Sequence, residues 1–144
     1  MLKGIPSIIS PELLKIIMEM GHGDEIVIAD GNFPSASMAK TLVRLDGHGV
    51  TDILDAVLGL FPLDTFTEKP VALMEVVPGD STVPVIWDDY KNVIKKHEGD
   101  IQIDNVERFA FYERAKKAYA VVATGETALY ANIILKKGVV VDEG

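Results

Sequence analysis

The sequence predicts an α/β layered fold, a single domain over residues 1–144, with helices on both faces of its sheet. Three observations lead there. Apolar runs of strand length alternate along the chain with segments whose apolar residues recur every three or four positions. The strand-length runs, such as Ile26-Val27-Ile28-Ala29, are apolar throughout, the pattern of strands buried on both sides. Connections are short, and no internal repeat, low-complexity tract or Pro/Gly-rich linker divides the chain.

Taken in order, Ser10-Pro11-Glu12 opens a first helix: Ser as N-cap, Pro at the first helical position, and an acid near the positive end of the dipole. Leu13, Leu14, Ile17 and Met20 mark its apolar positions, and Gly21 is expected to terminate it. After His22-Gly23-Asp24-Glu25 comes a buried strand, Ile26–Ala29, ending at Asp30, then a loop Gly31-Asn32-Phe33-Pro34-Ser35 that holds a Gly and a Pro. Leu42–Leu45 reads as a second strand. A helix capped by Thr51 or Asp52 runs through Leu60, with Ile53, Leu54, Val57, Leu58 and Phe61 on its apolar side. Pro70–Val77 is a buried strand stopped by Pro78-Gly79-Asp80. Thr82 to about His97 is a helix, with Val83, Ile86, Tyr90, Val93 and Ile94 at helical spacing. Ile101–Glu107 is extended. Arg108–Lys117 is a short helix, expected to turn Phe109, Tyr112 and Ala115 inward and Glu113, Arg114, Lys116 and Lys117 outward. Tyr119–Ala123 and Asn132–Leu135 are the last strands, and the apolar tail Gly138-Val139-Val140-Val141 needs a partner within the subunit or across an interface.

Composition excludes several function classes. Fourteen Lys+Arg against twenty-two Asp+Glu give a net charge of −8, the wrong sign for a nucleic-acid partner. With no cysteine, disulfides, thiolate catalysis and Cys-ligated zinc or iron–sulfur centres are out. No stretch approaches the roughly 20 apolar residues of a membrane span, and Met1–Ser10 lacks a secretory h-region. A cytoplasmic protein with no membrane partner is expected. Neither GxGxxG nor GxxxxGK[ST] is present, so nothing cradles nucleotide phosphates; there is no Gly-x-Ser-x-Gly elbow either.

Ligands of open α/β sheets bind at the carboxyl ends of strands, and Asp30 sits at such an end. His22, in Gly21-His22-Gly23, lies at the other end of the same strand; His48 and His97 read as solvated surface residues. His22, Asp24, Glu25 and Asp30 together offer metal donors, but without a spacing that sets two ligands on one face. Arg108, at a strand–helix junction, carries a forked donor suited to a polyol or carboxylate. Tyr130 and Asn132, flanking Ala131, supply a phenol and an amide able to read sugar hydroxyls.

Several blocks resemble the L-fucose mutarotase family, related to the D-ribose pyranases: Leu13-Leu14, Glu19-Met20-Gly21-His22-Gly23-Asp24-Glu25-Ile26, Asp30 with Asn32-Phe33-Pro34, Phe61-Pro62-Leu63-Asp64, Arg108-Phe109-Ala110-Phe111-Tyr112-Glu113-Arg114-Ala115, and Thr124-Gly125-Glu126 with Tyr130 and Asn132–Gly138. The resemblance implies a cofactor-free isomerase interconverting sugar anomers, with possible pyranose–furanose exchange. It implies a three-layer α/β/α sandwich on a mixed sheet, assembled as a homo-oligomeric ring, a decamer of stacked pentamers with L-fucose bound near subunit boundaries. The family's proton donor falls on His22 and its substrate-holding residues on Asp30, Arg108, Tyr130 and Asn132, with Ala131 between the last two. Ala131 stands where bacterial fucose mutarotases typically carry Gly and the pyranases Ala, and its methyl would trim the pocket.

Anomerisation needs one proton delivered to the ring oxygen and one taken from the C1 hydroxyl. His22, of a residue type with an unperturbed pKa near 6.5, is expected to act on the ring oxygen, with Tyr130 as the second proton-transfer group. Asp30 would orient the imidazole or hold a hydroxyl. The rival readings are a D-ribose pyranase, a non-catalytic sugar-binding module and a metal-dependent hydrolase or isomerase.

Overall fold

The computed structural model describes residues 1–142; the last two residues of the predicted domain, 143 and 144, lie outside them. Its elements are α1 (Pro11–Glu19), β1 (Glu25–Ala29), α2 (Ser35–Met38), β2 (Leu42–Leu45), α3 (Val50–Leu58), β3 (Val71–Met74), α4 (Ile86–Glu98), β4 (Ile103–Val106), α5 (Arg108–Lys117), β5 (Ala120–Thr124) and β6 (Ile133–Lys136). The strands form one sheet in the order β2-β5-β1-β6-β3-β4. All run the same way except β6, which lies antiparallel between β1 and β3. One edge of the sheet therefore gathers the carboxyl ends of β1–β5 and the start of β6.

Side chains alternate between faces along each strand, and this sets the layers. Ile26 and Ile28 join Leu13, Ile17, Ile53, Leu54, Tyr90 and Ile94 from α1, α3 and α4. Val27 and Ala29 join Phe33, Phe111 and Ala115 on the opposite face, under α2 and α5. The result is the expected three-layer sandwich on a mixed sheet. Each fully buried Leu, Ile or Phe contributes about 1.5–3 kcal/mol, so burial rather than propensity holds helices too short to persist alone.

Local signals explain most boundaries and miss others. Ser10 Oγ accepts the Leu13 amide at 3.2 Å and starts α1. The helix ends at Glu19 because Met20 turns extended; Gly21 gives its N–H to Asp24 Oδ2 at 2.7 Å instead of adopting a left-handed cap. Neither Thr51 nor Asp52 caps α3. The helix begins at Val50, whose amide reaches Glu126 Oε1 at 3.1 Å, 76 residues away. The helix expected from Thr82 begins at Ile86, since Pro84 disfavours helical backbone at the residue before it; Val83 and Val85 are exposed. The loop expected at Gly31–Ser35 holds as far as Pro34, and Ser35 instead begins the one-turn α2.

On α5 the inward face differs from expectation. Phe111 and Ala115 are buried while Phe109 is exposed, because Phe111 and Tyr112 pack edge-on to Phe33 at 6.0 and 5.6 Å between ring centres. Arg114, expected outward, forms an ion pair with Glu25. After β6, Lys137 and Gly138 pair with Asp24 and Pro62 through their backbones, whereas Val139–Val141 remain exposed. Among the described residues, no helix is long and apolar enough to cross a membrane.

Candidate active site

Asp30 follows β1 directly and is buried. Its Oδ1 accepts the amides of Asn32 and Phe33, both at 3.0 Å, and its Oδ2 accepts that of Ala131 at 3.3 Å. Burial pushes its carboxyl above the ordinary range, opposed by those backbone amides. Asn132 Oδ1 in turn accepts the Asp30 amide at 2.8 Å. The pair thus ties the end of β1 to the start of β6. Ala131 is fully buried in the core cluster shared with α4, so its methyl packs inward, and its carbonyl accepts Tyr90 Oη at 2.6 Å.

These contacts make Asp30 a test of structure against function. Asp30→Asn replaces one acceptor oxygen with a donor facing backbone N–H groups, and is expected to destabilise the fold by about 1–3 kcal/mol in a thermal melt. Because the folded-state pKa is raised, wild type loses stability as pH rises from the unfolded carboxylate value near 3.9 through the folded one. The Asn variant lacks that dependence, so the gap between the melts should be widest in acid and narrow toward neutrality. A gap that widens with pH would overturn the assignment.

Tyr130 stands beside this anchor at φ 56. Its hydroxyl lies between the Val77 amide, at 3.3 Å, and Asp80 Oδ2, at 2.5 Å; its carbonyl accepts the indole N–H of Trp87 at 2.7 Å. The Asp80 carboxylate holds the phenol pKa above its usual value. Arg108, the first residue of α5, stacks over the Phe109 ring at 4.6 Å and is close enough to act on the Tyr130 charge. Asp30, Arg108, Tyr130 and Asn132 therefore share one edge of the sheet, where the carboxyl ends of the parallel strands meet the start of β6.

His22 does not join them within the chain. β1 spans five residues, about 17 Å at the usual rise, and His22 precedes it while Asp30 follows it. At its own end His22 Nε2 meets Oδ1 of buried Asp64 at 3.0 Å, and its ring tilts against Phe66 at 5.2 Å. Burial raises the Asp64 carboxyl, but the Phe66 amide and His22 outweigh it and hold the group below the ordinary range. The imidazole stays 46% exposed, with Nδ1 free of a described partner. The other metal candidates disperse: Asp24 binds the Gly21 amide, Glu25 binds Arg114, and Asp30 sits at the far edge. His48 is exposed, while His97, expected to be solvated, meets Asp55 at 2.7 Å.

No local pattern in the sequence marks Asp64 or Asp80 for a role. Asp64 lay within the Phe61-Pro62-Leu63-Asp64 block, but its pairing with His22 spans 42 residues and leaves no local spacing to read.

A sheet covered on both faces, with polar side chains gathered at both strand ends and a histidine–aspartate pair at one of them, defines a three-layer α/β protein with two polar clusters. Residues 3–140 match the RbsD / FucU transport protein family, and the chain belongs to that family. It is 54% identical to the fucose mutarotase of Danio rerio, over 99% of this chain and 96% of that one. It is 57% identical to the Streptococcus pneumoniae fucose mutarotase solved in complex with L-fucose, with a TM-score of 0.94 over 97% of this chain and 100% of the other. Bacillus subtilis RbsD complexed with D-ribose is more distant, at 25% identity and a TM-score of 0.73 over 98% and 100%.

Proposed function

We infer that the chain is an L-fucose mutarotase, a single domain that interconverts the α and β anomers of L-fucose in the cytoplasm as a homo-oligomer. The observation that carries this reading is the near-complete superposition, at 57% identity, on a mutarotase structure that holds L-fucose. The chemistry of the side chains agrees with it. With Asp64 accepting from Nε2–H, the His22 Nδ1 is the nitrogen left to exchange a proton with substrate. As imidazolium it protonates the ring oxygen while the bond from C1 to that oxygen breaks. Tyr130 receives the C1-hydroxyl proton as the C1 carbonyl forms. Rotation about C1–C2 presents the other carbonyl face, and closure returns both protons. Arg108 anchors hydroxyls, while Asp30 and Asn132 fix the backbone on which Tyr130 stands.

Both proton-transfer groups must reach one monosaccharide, yet they occupy opposite ends of β1. The complete site therefore takes His22 and Asp64 from one subunit and Asp30, Arg108 and Tyr130 from another. Exposed apolar side chains beside both half-sites support this: Phe66 next to His22, and Phe109 and Leu129 near Arg108 and Tyr130. The assembly we propose is a decamer of two stacked pentamers.

Anomer-exchange NMR on L-fucose, D-ribose and D-galactose is the test. Acceleration is expected to be greatest for L-fucose, with D-ribose the second sugar in view of the RbsD likeness. Exchange at the uncatalysed rate for every sugar would leave only a sugar-binding module. A solution mass equal to one chain would remove the shared site.

A further inference from the structure

The hydroxyl of Tyr130 is held by groups outside its own segment. Val77 N–H donates to its oxygen and Asp80 Oδ2 accepts its proton. The Asp80 carboxylate is itself fixed in advance: Oδ1 accepts both the amide and the hydroxyl of Thr82, at 2.9 and 2.6 Å. The Asp80 amide closes a turn on the Val77 carbonyl at 3.0 Å. Gly79 makes that turn possible with φ 92, a conformation that glycine adopts without strain. A phenol oxygen has one proton and two lone pairs. Here the proton goes to Asp80 and one lone pair to Val77, which leaves one lone pair unclaimed.

We propose that Asp80 is a positioning residue for sugar ring opening: it draws the Tyr130 proton to one side and aims the free lone pair at the substrate as an acceptor. The inference rests on Tyr130 being the second proton-transfer group. When the C1 hydroxyl releases its proton, the O1–H bond breaks and a new O–H bond forms on Tyr130, while the phenol's original proton crosses to Asp80 Oδ2. On closure both protons return, so the pair ends each turnover as it began. Neutral tyrosine is a poor base alone, because accepting a proton would make it an oxonium; a carboxylate behind it removes that barrier. Among the described residues the charged groups acting on this phenol are Asp80, from the turn after β3, and Arg108, from the start of α5. Asp80 favours the neutral phenol and Arg108 opposes it.

The test combines kinetics with a titration that needs no substrate. Asp80→Asn keeps an oxygen for Thr82 but cannot take a proton. It is expected to lower kcat for anomer exchange about tenfold or more, with KM within about twofold. Tyrosinate absorbance, read as the difference from the same protein carrying Tyr130→Phe, should show Tyr130 ionising at lower pH once the carboxylate is gone. Asp80→Glu retains the anion and should keep the phenol titration high while recovering part of kcat. An unmoved titration, or full kcat in Asp80→Asn, would overturn the proposal. Full activity in Tyr130→Phe would instead sink the role given to Tyr130, whatever the titration shows.

Discussion

Replacing His22 with Gln is expected to slow anomer exchange by about 10²–10⁴-fold, the usual contribution of a positioned acid–base group. The melting temperature should stay within a degree or two, because the ring is half exposed, resting against Phe66 and hydrogen-bonded to Asp64. Tyr130→Phe should be similarly crippled. The more discriminating result comes from mixing. If a site draws His22 from one subunit and Tyr130 from its neighbour, random co-assembly of equal amounts of the two variants rebuilds a site wherever a Tyr130→Phe chain supplies the histidine end and a His22→Gln chain the tyrosine end. That happens at about a quarter of the sites in a closed ring. Co-refolded protein should therefore recover about one quarter of wild-type exchange, read by saturation-transfer NMR, although each parent alone is nearly inactive. Recovery would be nil if each subunit completed its own site, and the separation along β1 would then have misled.

This geometry also shows where a sequence stops being informative. Ser10-Pro11 announced α1, the unbroken apolar run announced β1, and Arg108–Lys117 has the expected bounds, because caps, periodicity and strand burial are written in neighbouring residues. The same holds for the edge that gathers Asp30, Arg108, Tyr130 and Asn132: each follows or precedes a legible strand. What lay hidden depends on pairing across the chain. Glu126 caps α3 from 76 residues away, Asp64 finds His22 from 42, and Asp80 finds Tyr130 from 50. The periodicity of α5 misplaced Phe109 and Phe111 for the same reason: which face turns inward was decided by Phe33, in a loop on the far side of β2 in sequence. The metal reading failed to assemble because Glu25 and Asp30, five residues apart, are sent by the strand to opposite ends of the sheet.

Gly138 joins fold and site in a second substitution with a large effect. Its backbone is not left-handed, so the demand for glycine is one of space. A Cβ here would lie 2.4 Å from the Leu63 carbonyl oxygen, 2.7 Å from its carbon and 2.8 Å from Asp64 Cα. These are backbone atoms, and no rotamer change relieves the overlap. The two segments are also stitched together, with Gly138 N–H on the Pro62 carbonyl at 2.8 Å, Asp64 N–H on the Lys136 carbonyl at 3.0 Å, and a bridge between Leu63 and Lys137. Gly138→Ala must push this crossing apart, and is expected to destabilise the fold by about 1–3 kcal/mol, as overpacking does, in a denaturant titration. The displaced segment carries Asp64, so the effect should not stop at stability. In protein that remains folded, kcat should drop as well, because the imidazole loses the carboxylate that fixes its tautomer. Leu54→Ala supplies the contrast: it removes a fully buried side chain on α3 and should cost about 2–5 kcal/mol while kcat per folded molecule holds. Combining Gly138→Ala with Asp64→Ala separates the routes, since two changes acting through one contact are not additive. The double variant should be scarcely slower than Asp64→Ala alone. Fully multiplied losses in kcat would mean that the crossing at Gly138 and the histidine–aspartate pair act independently.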